Sequence, residues 1–137
     1  VHFHIYASPI YMKRFGHLTT VDDLDKHRLI AFGRPYPDHL KDLNWILTVG
    51  KDGRNERVPA LQVNNVYAMK AAAQRGPGVA MLPDYVVDKE PGLNQLTLDA
   101  NVPSFETYIA YTEDMRSSAR VQVFRDFLVA ESQKWAF

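Results

Sequence analysis

Cysteine is absent from all 137 residues. That absence removes disulfide staples, thiolate nucleophiles and cysteine-ligated zinc together, and it suits a reducing compartment such as the cytoplasm. An excess of charge of either sign is missing too, because sixteen Lys and Arg balance sixteen Asp and Glu. A chain without a broad positive field is not expected to grip DNA by itself. No apolar run approaches the roughly 20 residues a membrane helix needs, and no secretory leader is visible at the start. No internal repeat, low-complexity tract or long linker divides the chain.

What is present is ordinary for a globular domain: 46% apolar and 23% charged residues. A chain of this length buries roughly two-thirds of its unfolded surface, enough for one core. It begins on Val1, without methionine and already inside a strand pattern, which reads as a fragment.

Motifs for chemistry are scarce. Gly76-Pro77-Gly78 closes a helix and opens a strand, the reverse of a phosphate-binding loop, and fits a helix C-cap followed by tight entry into a sheet. No serine sits in a G-x-S-x-G elbow, and neither H-E-x-x-H nor an acidic calcium loop occurs. His2 and His4, two apart on a strand, offer two ligands where a catalytic zinc takes three from protein, so a solvated face is expected and no metal. Asp22, Asp23 and Asp25 gather at a helix start, where solvation and the dipole account for them. No cofactor and no enzyme activity are expected. Were the chain an enzyme, His27, His39 or the Asp22 group would supply the acid or base.

In chain order, Val1 to Ala7 alternates as a strand, with Val1, Phe3, Ile5 and Ala7 on one face and His2, His4 and Tyr6 on the other. Ser8-Pro9 caps a brief helix that Gly16 ends. Thr20 and Asp23 form a capping-box variant before a second short helix, VDDLDKHR, with His27 as a cation at its end. Leu29 to Phe32 is a buried strand, and residues Arg34 to Leu43 an irregular loop near a ligand. Trp45 to Val49 reads as a strand, turned back through Lys51-Asp52-Gly53-Arg54 in a hairpin, with Trp45 either in the core or stacked on a ligand. A helical turn is expected at Asp84 to Asp88, a weak strand around Leu93, Leu96 and Leu98, and an alternating strand from Phe105 to Thr112. From Ala119 an amphipathic helix, capped by Ser117 or Ser118, carries Val121, Phe124, Phe127 and Leu128 on one face and leaves Arg120, Arg125 and Glu131 outside it. That stripe needs a cover, or becomes a docking surface.

The organising stretch is Val58 to Val87. Two apolar runs, Val58 to Val63 and Val79 to Leu82, flank an alanine-rich helix from Val66 to Arg75, so strand, helix and parallel strand are expected. Asn64 or Asn65 falls at the helix N-cap, where it either only caps or also helps hold an anion.

Taken together, ASPIYMKRFG, DDLDKHRLI, the tryptophan segment, LQVNNVYAMKAAAQRGPGVAMLPDYVV and YIAYTEDMRSSARVQVFRDFL resemble, in that order, the effector-binding domain of LysR-type transcriptional regulators. Gly76 to Pro83 matches that family's glycine-rich entry into a strand ending on proline, with Pro77 at the variable position. The resemblance implies an α/β, periplasmic-binding-protein-like fold with a mixed, mostly parallel sheet flanked by helices. Residues 1–112 would be the second subdomain of the effector domain, and 113–137 a terminal helix that packs back on a first subdomain. It implies a small-molecule effector, an anion or carboxylate, lined by Asn64, Asn65 and Val66, with Phe32 grouped beside them. It further implies dimers or higher oligomers, DNA contact only through an N-terminal winged helix-turn-helix outside these residues, and a cytoplasmic setting. An exported solute-binding protein of the same fold is the alternative.

Overall fold

Side chains alternate between the two faces along each central strand, and the two sets feed two separate cores. In this computed structural model all residues are described except 37, 53–54, 88–90 and 135–137, and the side chains of His39 and Leu40 also fall outside the description. Five strands, β1 (Phe3–Ala7), β2 (Leu29–Phe32), β3 (Leu61–Val63), β4 (Val79–Pro83) and β5 (Asn94–Leu96), form one sheet in the order β3-β2-β4-β1-β5. Strand β2 pairs in parallel with both β3 and β4, while β1 is antiparallel to β4 and β5. The strands flanking the central helix thus run the same way, with β2 between them.

One face carries Phe3, Ile5, Ala7, Leu29, Ala31, Val79 and Met81. Helix α1 (Pro9–Phe15), a 3-10 turn at Asp22–Lys26, a second at Asp38–Asn44 and helix α2 (Trp45–Thr48) cover it. The other face carries Tyr6, Ile30, Phe32, Ala80 and Leu82 under helix α3 (Val66–Gln74) and the short α4 (Asp84–Val87). Sheets covered on both sides bury near-continuous apolar runs such as VAMLP, all five residues of which are buried.

Local chemistry explains the ends of the elements. Ser8 Oγ accepts from the Tyr11 N–H, with Pro9 inside the first turn of α1. The Thr20–Asp23 box closes both ways: Asp23 N–H donates to Thr20 Oγ1 at 3.3 Å, and Asp23 Oδ2 accepts from Thr20 N–H at 3.1 Å. The short helix expected there is a 3-10 helix, Asp22–Lys26. Gly78 is dictated by space, since a Cβ there would lie 2.4 Å from the Arg28 carbonyl oxygen, against which β4 enters the sheet.

Several expectations are corrected. Trp45 to Val49 is not a strand: Ile46 and Leu47 are adjacent, both buried, and both in the same core, which a helical turn allows and an alternating strand forbids. Trp45 packs against that core. The hairpin loses its first strand with it, and its turn at Gly53-Arg54 lies outside the described residues. The loop after β2 carries the 3-10 turn at Asp38–Asn44. Only Leu61–Val63 of the Val58 run is strand, and Val58 is 89% exposed. Phe105 to Thr112 forms no strand either. Phe105 still trades hydrogen bonds with Val1 and packs edge-on against Phe3, but residues 106–112 are exposed with no described strand beside them. An alternating segment becomes a strand only when an edge is offered to it.

Helix α5 (Ala119–Gln133) has no buried residue. Its partly covered side runs through Val121, Arg125, Leu128 and Glu131, so Arg125 and Glu131 lie on the inward line and Phe124 and Phe127 project outward. Arg57 is the main polar tie on the α2 face. Its guanidinium donates to the carbonyls of Ile46, Val49 and Val21 and to Asp25, capping the end of α2.

Candidate functional site

Strands β2 and β3 stop side by side, with Phe32 in register with Val63, and Gly33 N–H closing the last rung on Val63 O at 3.0 Å. From there the chain leaves β2 toward the face of α2 and leaves β3 toward the opposite face, into α3. Neighbouring parallel strands whose connections depart on opposite faces leave a crevice beyond their carboxyl ends, which is where open α/β sheets bind ligands. The expected residues Asn64, Asn65, Val66 and Phe32 all lie at this edge.

Asn65 is the cap. Its Oδ1 accepts from Tyr67 N–H at 2.9 Å and Ala68 N–H at 3.2 Å, which uses two of the free donors of the first turn. The Val66 N–H and the Asn65 side-chain amide remain, and Asn64 and Asn65 are both exposed. The edge is therefore an open ledge, and the positive end of α3 looks across it.

Phe32 is held by a residue that the sequence reading passed over. Its N–H donates to Asn44 Oδ1 at 2.8 Å, and its carbonyl accepts from Asn44 Nδ2 at 2.9 Å. Strand β4 pairs with β2 at Leu29 and Ile30, and the carboxamide of buried Asn44 takes over at Phe32. The fork between β2 and β4 at the crevice is thus filled by a side chain acting as a strand. An asparagine just ahead of WIL was the only signal, and it reads equally as a turn residue.

A second polar group lies on the same edge. His4 Nδ1 is 2.7 Å from Asp84 Oδ1, and the Tyr6 hydroxyl donates to that oxygen at 3.0 Å. Burial, then the Asp84 charge and hydrogen bond, push the Tyr6 phenol far above its ordinary value, so it stays a donor. His4 is not part of a plain solvated face, as its alternation suggested. The proximity of Asp84 was hidden by a sequence separation of 80 residues.

Other expected residues have structural partners. His27 Nδ1 lies 3.1 Å from the Tyr11 hydroxyl, which itself accepts from Arg28 N–H, so it braces α1 against β2. Among the described residues no group of three or more His, Asp or Glu is placed to hold a metal, and no described helix is long and apolar enough to cross a membrane.

Comparison with known proteins follows the same line. The family described as the LysR substrate binding domain matches residues 1–133. The chain is 26% identical over 137 residues to the HTH-type transcriptional regulator CrgA of Neisseria meningitidis serogroup C (strain 8013), covering 94% of this chain and 43% of that protein. It is 27% identical over 129 residues to an HTH-type transcriptional regulator of Xanthomonas campestris pv. campestris (strain 8004), covering 91% and 38%. The solved regulatory domain of Neisseria meningitidis CrgA superposes with a TM-score of 0.68 at 26% identity, over 94% of this chain and 64% of that one. The chain spans less than half the length of these curated relatives. The mixed sheet with helices on both faces is that of the regulatory domain of a LysR-type regulator, and the chain belongs to the LysR substrate-binding domain family.

Proposed function

We propose that this chain is the second half of the effector-sensing domain of a LysR-type transcriptional regulator. A small anion or carboxylate lies on the ledge at the carboxyl ends of β2 and β3. Its oxygens take the Val66 N–H and the Asn65 amide, Asn64 stands beside them, and Phe32 meets its apolar part. The observation that carries this is the Asn65-capped start of α3 at the point where the connections of β2 and β3 part.

Residues 1–112 form one subdomain, and the helix within 113–137 packs back on another supplied by polypeptide outside this sequence. The greater length of the regulators it resembles supports that division. DNA is held by a winged helix-turn-helix in that further polypeptide, in a cytoplasmic oligomer. The effector acts by favouring one angle between the subdomains, and hence one spacing of the DNA-binding arms. A role in sensing, in place of catalysis, accords with relatives that are transcriptional regulators.

Asn65→Asp tests the ledge, because aspartate caps a helix as well as asparagine does but sets a negative charge beside the Val66 N–H. In the protein expressed from its whole reading frame, millimolar small carboxylates should raise the melting temperature by mass action. The variant should fold normally and bind the active carboxylate about tenfold more weakly, through like-charge repulsion at close range. Equal or tighter binding by Asn65→Asp would remove the ledge from the effector site.

A further inference from the structure

An antiparallel ladder continues past the amino end of β1. His2 bridges Ser104, and one step further the Val1 nitrogen donates to the Phe105 carbonyl at 2.6 Å while the Phe105 N–H donates to the Val1 carbonyl at 2.8 Å. Two residues that exchange both bonds are the hydrogen-bonded pair of an antiparallel ladder. The Phe105 ring meets Phe3 edge-on, centroids 4.9 Å apart, which fixes this pair against the core. Beyond it one side of the ladder runs on through residues 106–112, ETYIAYT, exposed and with the alternating β-branched and aromatic side chains of a strand. No described strand lies beside them.

Register says what fits there. Antiparallel partners advance in opposite directions, so the residue immediately before Val1 falls opposite Glu106, the second before it opposite Thr107 and the fourth before it opposite Ile109. Length supplies the polypeptide, because the chain covers only 64% of the solved regulatory domain on which it superposes. An unpaired strand edge invites other chains, and a partner already aligned by two hydrogen bonds at Val1 closes it first.

We propose that residues 106–111 are the docking edge for the polypeptide that leads into Val1, the two segments running antiparallel in the register set by Val1 and Phe105. This rests on the reading that a first subdomain precedes these residues, and adds to it which segment covers the exposed edge and in what alignment. Partners in such a ladder share a face. The second and fourth residues before Val1 therefore lie on the side of Phe105, Thr107 and Ile109, and the first and third on the side of Glu106 and Tyr108.

Engineered cysteines test the register, and these 137 residues contain no native cysteine to compete. The protein is expressed from its whole reading frame with any upstream cysteine changed to serine. Glu106→Cys is then combined with a cysteine at the residue immediately before Val1, a non-hydrogen-bonded pair with Cα atoms about 4.5 Å apart, within disulfide reach. Tyr108→Cys with the same upstream cysteine is the control, a diagonal pair roughly 7–8 Å apart and too far to bridge without backbone movement. Both side chains are exposed, so neither substitution disturbs the core. After mild oxidation, peptide mapping without reductant should find the first disulfide in most molecules, at least about fivefold more often than the second. Equal yields, a higher yield through Tyr108→Cys, or no disulfide in either protein would overturn the pairing and leave the sensing reading standing, since the melting shift with carboxylates is measured on the parent. A reading frame that opens at Val1 would overturn both.

Discussion

Asn44 does for Phe32 what a neighbouring strand would otherwise do. The two backbone groups it satisfies point into the fork between β2 and β4, and Asn44 is only 2% exposed. Asn44→Ala should therefore cost about 2–4 kcal/mol, from two buried polar groups at about 1–3 kcal/mol each with partial relief by entering water. Urea unfolding measures it, and a loss under about 1 kcal/mol would mean that the carboxamide is not what closes the fork. Asp23 makes a different prediction. Hydrogen bonds from Thr20 and then Thr19 hold its carboxyl well below the usual range. A depressed folded value gives stability that is present above the unfolded value of about 3.9 and lost as pH falls below it toward the folded value. The Asp23→Asn variant should be less stable than the parent at pH 6, and the gap should narrow steadily below about pH 4. A gap independent of pH would assign the effect to the amide's geometry and not to charge. Asp25, lowered by Lys51 and then Arg57, adds to the same acid sensitivity.

At the scale of elements, what was legible in the sequence is what depends on neighbours along the chain. The Ser8-Pro9 cap, the Thr20–Asp23 box, the strand at LIAF and the β3–α3–β4 unit, apart from Val58 to Ala60 at its start, follow from local spacing and turn chemistry, and they stand where the residues place them. The errors arise where an element's state is set from outside. WILTV has the composition of a strand, yet Asn44 fastens its start to Phe32, and Arg57, arriving from later in the chain, caps its end as a helix. FETYIAYT alternates well enough for a strand but has no described edge to join. Asn64, Asn65 and Val66 were readable at this edge because a helix N-cap after a strand is a local signal. Asn44 and the contact of His4 with Asp84 were not, since each depends on a partner that only the folded sheet brings near.

For the molecule as a whole, the unsatisfied surfaces lie together at its carboxyl-terminal end. Tyr108 is 80% exposed, and Val123, Phe124 and Phe127 are 70%, 61% and 57% exposed along a helix with nothing buried beneath it. Ala119, Arg120, Val123, Phe124 and Phe127 line a shallow groove there. Isolated apolar side chains on a surface are ordinary, whereas a contiguous row beside a strand-like segment without a partner is not. In the proposed arrangement the first subdomain covers both, so the 137-residue chain on its own should cover them with a second copy. Light scattering at micromolar concentration should find a dimer or larger species, and Phe124→Glu with Phe127→Glu should shift it to monomer. Because neither side chain contributes to either core, the paired substitution should leave the unfolding free energy extrapolated to low protein concentration within about 0.5 kcal/mol of the parent's. In the protein expressed from its whole reading frame the same pair should be strongly destabilising, since it would place two charges in an intramolecular interface. A parent chain that is already monomeric, or a variant pair as harmless in the whole protein as in the isolated chain, would show that α5 faces water in both and that the cleft is closed by some other surface.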